Sequence, residues 1–231
     1  MQRSCVPTRM TRRARWWALA VALSLACDEA HSTRTPSHAS AVTPAASPAP
    51  TVPNGCTSSP TELPASPLFD PADPRLRDPA VLVAHKSARR LMLFAHGSLR
   101  GCWAMGLGFD PRGHKQHEGD GRTPEGWYRT SDKPWSDFAG AIAVHYPNDH
   151  DAAVALADGR LAAPEHEIVL DALARDVVPP QETAMGGEIL IHGGGSRQDW
   201  TLGCMALEDQ DLAGLRAALP PGQRAWLLVL P

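Results

Sequence analysis

Residues 189–207 read ILIHGGGSRQDWTLGCMAL. Ile189-Leu190-Ile191 is a short apolar run that ends at His192, and three glycines follow, so a strand runs into a loop at the histidine. Twelve residues past His192 stands Cys204, with Gly203 before it and Met205-Ala206-Leu207 after it. A thiol attacks as its thiolate, and at an ordinary pKa of about 8.5 only a few per cent is ionised at neutral pH. An imidazole within hydrogen-bond reach that takes the proton raises that fraction. A glycine directly before the cysteine carries no Cβ and leaves room for a carbonyl to approach the sulfur and the nearby amides. Each feature has a bland reading: Cys204 as a small buried hydrophobe, His192 as a satisfied strand-end residue, the glycines as a flexible loop. Their fall within 13 residues of one strand and loop favours a nucleophile with its base.

Outward from this segment, short apolar runs separated by turn residues predict a meander of antiparallel strands. They lie at Val81-Leu82-Val83-Ala84, Leu91-Met92-Leu93-Phe94 and residues 99–107, and further strands are expected over 127–130, 141–146, 188–192 and 224–230. Helical signals occur over 151–158, closed by Gly159, over 164–176 with a proline in the first turn, and over 209–219. Glycines and prolines make 108–126 a loop. The class is β-rich with a few peripheral helices, in one folded domain expected over residues 75–231.

The first 26 residues carry five arginines (Arg3, Arg9, Arg12, Arg13, Arg15) and no carboxylate, followed by the apolar run Trp16 to Ala26. That run is too short to span a bilayer as a helix and reads as an export signal, residues 1–26. Two processing outcomes compete: ordinary cleavage after Ala26, or a lipoprotein signal ending at Cys27, which would carry lipid. Ser24 is a weak residue for the second pattern, and Thr11-Arg12-Arg13 only hints at a twin-arginine signal. Either outcome places the mature protein outside the cytoplasm, in the periplasm. Residues 36–74 hold 10 of the 22 prolines among Ala, Ser and Thr without helical or strand period, so 27–74 is expected as an extended, disordered tether. It is read either as reach toward the cell wall or as a plain spacer. Without the leader the chain holds 17 basic against 25 acidic residues. That balance suits no nucleic-acid partner, because such binding depends on neutralising phosphates.

The segment 189–207 resembles the active-site signature of the L,D-transpeptidase catalytic domain, the YkuD-like cysteine enzymes of bacterial cell-wall metabolism. Further blocks agree in the family's order: His85 to Leu91, the block Lys115-Gln116-His117-Glu118-Gly119-Asp120 leading to Thr123-Pro124-Glu125-Gly126-Trp127-Tyr128, and His145-Tyr146-Pro147-Asn148. The resemblance covers roughly residues 80–230. It implies a β-sandwich domain with its groove beside Cys204, with Cys204 the nucleophile and His192 the base. The amides of Gly203 and Cys204 would form the oxyanion hole, and Thr201 and Ser196 would give supporting hydrogen bonds. It also implies a peptidoglycan stem-peptide donor: the thiolate attacks the carbonyl of the diamino-acid residue, D-alanine leaves, and an amine or water resolves the thioester. No cofactor or metal is implied, and a monomer is expected. Trp200 is a candidate contact platform, Glu118 a candidate for a stem-peptide amine, and His145 a candidate near the site; core packing, solvation and a structural hydrogen bond are their plain alternatives. Asp120 and Glu125 share the loop reading of Glu118. The sequence departs from the commonest motif at Leu202, where histidine often stands, and at Ala206, where arginine or asparagine often stands. The Cys-Met-Ala-Leu ending resembles a subgroup in which some members cut wall bonds, which leaves the acceptor open. Cys56 and Cys102 could pair in an oxidising compartment, although Cys56 lies in the expected tether.

Rival chemistries fail on residue detail. Residues 108–115 miss the phosphate-loop pattern, because His114 separates Gly113 from Lys115 and no Ser or Thr follows. The lipase pattern lacks its G-x-S-x-G elbow. A zinc-dependent wall peptidase would draw on His114, His117 and Glu118, but a glycine-rich loop gives such ligands no helical or strand framework. A catalytically idle wall-binding lipoprotein would not need Cys204 and His192 together.

Overall fold

The computed structural model describes residues 52–133, 137–138 and 140–231. The expected leader, Cys27 and the tether up to residue 51 lie outside the described residues. Eight strands form one hydrogen-bonded series: β1 (Val81–His85), β2 (Arg90–Ala95), β3 (Ser98–Ala104), β4 (Gly126–Asp132), β5 (Ile142–Val144), β6 (Leu190–His192), β7 (Met205–Ala206) and β8 (Trp226–Leu230). Their order is β3-β2-β1-β8-β4-β5-β6-β7, parallel at β1–β8 and β6–β7 and antiparallel elsewhere. β4 serves both halves: its first part pairs with β8 and its last three residues pair with β5. Past β3 the chain bridges β7, with Gly106 and Ala206 exchanging two 2.9 Å hydrogen bonds. The two ends of the series are thereby tied around one core, to which Leu82, Leu91, Met105, Tyr128, Ile142, Ile191, Met205 and Leu227 all contribute. This is the mainly β fold expected.

Strand alternation accounts for the unbroken apolar runs. In β1, Leu82 and Ala84 enter this core, while Val81 and Val83 enter a second cluster on the opposite face. That second face is covered by Leu63, Phe69 and Leu76. The tether boundary expected at residue 74 is therefore corrected: Leu63 and Phe69, inside the expected tether, are buried in the cluster on this face of the sheet. Each large side chain buried there contributes roughly 1.5–3 kcal/mol, which offsets the ordering entropy that composition alone left uncompensated. Two short 3-10 turns, Pro60–Glu62 and Pro74–Arg77, are capped by Ser59 and Asp73. A disulfide joins Cys56 to Cys102 of β3 across a 46-residue separation, which settles the pairing left open by the sequence.

Three helices lie outside the strands: α1 (Asp149–Ala157), α2 (Ala163–Ala174) and α3 (Asp209–Ala218). A capping box between Asn148 and Asp151 starts α1. Asp151 also accepts a 2.9 Å bond from the Tyr128 hydroxyl, which fixes the helix to β4. α3 matters most to the site, because Asp209 in its first turn accepts the Gly194 amide at 2.9 Å and so holds the glycine loop after β6. Among the described residues no helix is long and apolar enough to cross a membrane.

Candidate active site

β6 and β7 run parallel, with Ile191 opposite Met205 and His192 opposite Ala206. Ile191 and Met205 enter the main core, so the alternate positions Leu190, His192, Cys204 and Ala206 share the other face. Cys204 and His192 are thus two residues apart along neighbouring strands. A strand spacing of about 4.8 Å and a rise of about 3.3 Å per residue put their Cα atoms about 8 Å apart. The loop 193–204 is what carries the chain back to make this parallel pair.

Both side chains line one cavity of about 480 Å³. Cys204, the free thiol among the described residues, packs against a small apolar group of Ala141, Ala143 and Leu190. Its sulfur donates to the Glu188 carbonyl at 3.3 Å and accepts the Leu190 amide at 3.3 Å. Burial pushes the thiol up to about 11, and the Leu190 hydrogen bond opposes that only in part. His192 is 1% exposed, with Phe138 stacked on it at 4.0 Å between ring centroids and Trp200 edge-on at 5.6 Å. Burial lowers its pKa and a hydrogen bond to the Gly193 carbonyl raises it; the net shift is downward. Its Nδ1 lies 2.5 Å from that carbonyl. A carbonyl can only accept, so the proton of the neutral ring sits on Nδ1 and Nε2 keeps its lone pair. The resting pair is a neutral thiol and a neutral imidazole.

The loop before the cysteine is built differently from the sequence expectation. Gly203 has φ +131°, and a Cβ there would lie 2.7 Å from the Arg122 carbonyl oxygen. The missing side chain makes room for protein backbone and not for an incoming carbonyl. The Gly203 amide donates to Thr201 Oγ1 at 3.1 Å, and that hydroxyl donates to the Cys204 carbonyl at 2.9 Å. Thr201 therefore supports the loop and occupies the Gly203 donor. The Cys204 amide has no acceptor among the described residues, which makes it the available donor for a developing oxyanion.

Other expected site residues divide by location. Trp200 lines the cavity and donates through Nε1 to the Gly195 carbonyl at 3.1 Å. Glu118 lines it as well, on a loop bonded to the Ala184 carbonyl. Ser196 does not: its hydroxyl and amide both turn to Glu208 at 3.2 Å. His145 is also placed elsewhere, buried with Nε2 3.0 Å from Ser131 Oγ and Nδ1 3.8 Å from Asp176, beside a depression that includes Trp127 and Trp226. Asp120 is a loop organiser: burial works to raise its carboxyl, but the amides of Gln116, Arg122 and His117 and the Lys115 ammonium outweigh this and lower it. Glu125 pairs with Lys86 at 2.7 Å. His114 bonds the Glu125 amide and faces Asp151, so it does not converge with His117 and Glu118. Among the described residues no three His, Cys, Asp or Glu side chains form a metal-ligand group.

Sequence reasoning missed Phe138, Lys115, Gln181 and Glu188 as cavity residues. Glu188 holds φ +56° while its amide donates to Gln181 Oε1 at 2.6 Å and its carboxylate pairs with Lys133. That conformation aims its carbonyl at the thiol. Of these four, only Lys115 sat inside a segment singled out by motif.

The family model for the L,D-transpeptidase catalytic domain, YkuD, matches residues 79–227. No curated protein matches the chain. Among solved structures it is similar to the helical cell shape determining protein Pgp2 of Campylobacter jejuni, at 23% identity and TM-score 0.44, over 65% of this chain and 46% of that one. It is also similar to Bd1075 of Bdellovibrio bacteriovorus, at 18% identity and TM-score 0.41, over 68% and 50% of the two chains. An L,D-transpeptidase of Mycobacterium smegmatis gives 11% identity and TM-score 0.37, over 66% and 59%. The chain spans about half the length of these structures.

Proposed function

Because the chain belongs to the L,D-transpeptidase catalytic domain family, we propose that it is a cysteine-dependent acyltransferase acting on peptidoglycan stem peptides through a thioester on Cys204. The observation that carries this reading is the β6–β7 register, which sets Cys204 and His192 on one face at one cavity. At rest the thiol is bonded to the Glu188 carbonyl. Rotation about its Cα–Cβ bond turns the sulfur toward the cavity, where His192 Nε2 takes the proton. The sulfur then attacks the carbonyl carbon of the donor's diamino-acid residue, and the carbonyl electrons move to oxygen, facing the Cys204 amide. Collapse breaks the C–N bond. His192 returns its proton to the departing D-alanine amine, leaving a thioester.

Resolution runs in reverse order. An acceptor amine gives its proton to His192 as it attacks the thioester carbon, and the proton passes back to sulfur as the C–S bond breaks. Water in place of the amine would give a shortened stem and no cross-link. The same reading keeps export, a lipid anchor at Cys27 and action in the periplasm as proposals that rest on the leader sequence.

Incubating the full chain with purified muropeptides, and analysing products by mass spectrometry, tests the proposal. Loss of D-alanine from the donor with formation of a cross-linked dimer supports transpeptidation. A tripeptide stem alone assigns water as acceptor. No change in any stem peptide overturns the substrate class.

A further inference from the structure

Two lysines in this fold are 2% exposed, Lys86 and Lys115, and they are used differently. Lys86 Nζ has three acceptors: the Gly113 carbonyl at 2.6 Å, the Thr123 carbonyl at 3.0 Å and Glu125 Oε1 at 2.7 Å. An ammonium has three N–H bonds, so Lys86 is saturated and structural. Lys115 Nζ has two acceptors, the His117 carbonyl and Asp120 Oδ1, both at 3.1 Å. Its third N–H has no acceptor among the described residues, and Lys115, unlike Lys86, lines the cavity that contains Cys204. Asp120 does not cancel this role, since its oxygens also accept the amides of Gln116, His117 and Arg122.

We propose that Lys115 is the anchor for a carboxylate of the acyl donor. The inference rests on the stem-peptide reading and adds the group that is recognised. The other charges on the cavity fit a zwitterionic amino-acid head. Glu118 lines it exposed and has no ion pair among the described residues, while the Glu188 carboxylate is held by Lys133. A carboxylate on Lys115 with its neighbouring ammonium toward Glu118 satisfies both. Two donor carboxylates are available to Lys115: the one on the side chain of the diamino-acid residue, which alone has the neighbouring ammonium for Glu118, and the terminal one on the departing D-alanine, whose nitrogen is an uncharged amide.

Donor tetrapeptides amidated at one carboxylate or the other separate the two sources. On wild-type full-length protein, amidation at the anchored position should lower kcat/KM roughly 10- to 100-fold, the worth of one charge-assisted hydrogen bond. The loss should fall mainly on KM. Amidation at the other position should have little effect. Lys115→Met should lose the discrimination, whereas Lys86→Met should lower thermal stability and keep it. Equal turnover of all three donors by wild type, or discrimination retained in Lys115→Met, overturns the proposal while leaving the stem-peptide reading intact. If Lys115→Met does not fold, the wild-type comparison decides alone. No consumption of any stem peptide overturns both.

Discussion

Raising the pH in the presence of iodoacetamide should reveal how the resting thiol is held. Burial moves Cys204 up to about 11, while the imidazole of His192 is neutral because burial lowers it below 6.5. At pH 7 a thiol at about 11 is ionised to about one part in 10⁴, compared with about three parts in 10² at an ordinary value of about 8.5. Alkylation in the resting protein should therefore be roughly 300-fold slower than for an unperturbed thiol, and should climb steadily with pH up to about 10. The assay is loss of free Cys204 by mass spectrometry against time, over about pH 5–10. Turnover should behave differently, since in the proposed mechanism His192 removes the proton only during attack. It should hold through neutral pH and fall as acid protonates the imidazole. A fast alkylation plateau reached below pH 7 would refute the neutral pair and require a thiolate–imidazolium pair at rest.

Three further outcomes follow from the packing. Replacing Cys56 and Cys102 by serine removes a cross-link over 46 residues, and should cost about 4 kcal/mol in urea unfolding by the loop-closure relation. Gly203→Ala places a Cβ 2.7 Å from the Arg122 carbonyl at φ +131°; unfolding should show a loss of about 1–3 kcal/mol, with turnover reduced as the Cys204 amide shifts. His145 is held near 4 by burial, below its ordinary 6.5, so the unfolded chain takes up the proton first as pH falls. Its contribution, about 3 kcal/mol, is present above pH 6.5 and lost as pH falls through 4; denaturant titrations of His145→Gln should lack that acid-limb slope.

The strands were legible where alternation or apolar runs were strong, as in Val81–Ala84 and Leu91–Phe94. What those runs implied, burial on both faces, was answered by residues with no period of their own. Leu63 and Phe69 are scattered through a proline-rich stretch, so composition read it as tether while the sheet uses it as cover. β7 is two residues long and has no pattern to detect; Met205 and Ala206 were found only through the motif around Cys204. Within the site, Cys204 and His192 were legible as neighbours because a cysteine and a histidine fell on one strand and loop, and the structure sets both on one cavity. Glu188 escaped because it acts through its backbone carbonyl, which its side-chain type does not reveal. Phe138 and Gln181 come to the cavity from distant segments. For His145 the sequence left a place near the site and a structural hydrogen bond both open, because a motif does not say which way a side chain leaves the strand, and here it turns to Ser131 and Asp176.

The central claim is that Cys204 carries the acyl group. Intact-mass spectrometry of the full chain, quenched in acid during incubation with a stem tetrapeptide, tests it directly. The wild type should gain the mass of the donor less alanine, mapped to the peptide containing Cys204, and Cys204→Ala should gain nothing and turn nothing over. Covalent capture or product formation that persists in Cys204→Ala would contradict the account.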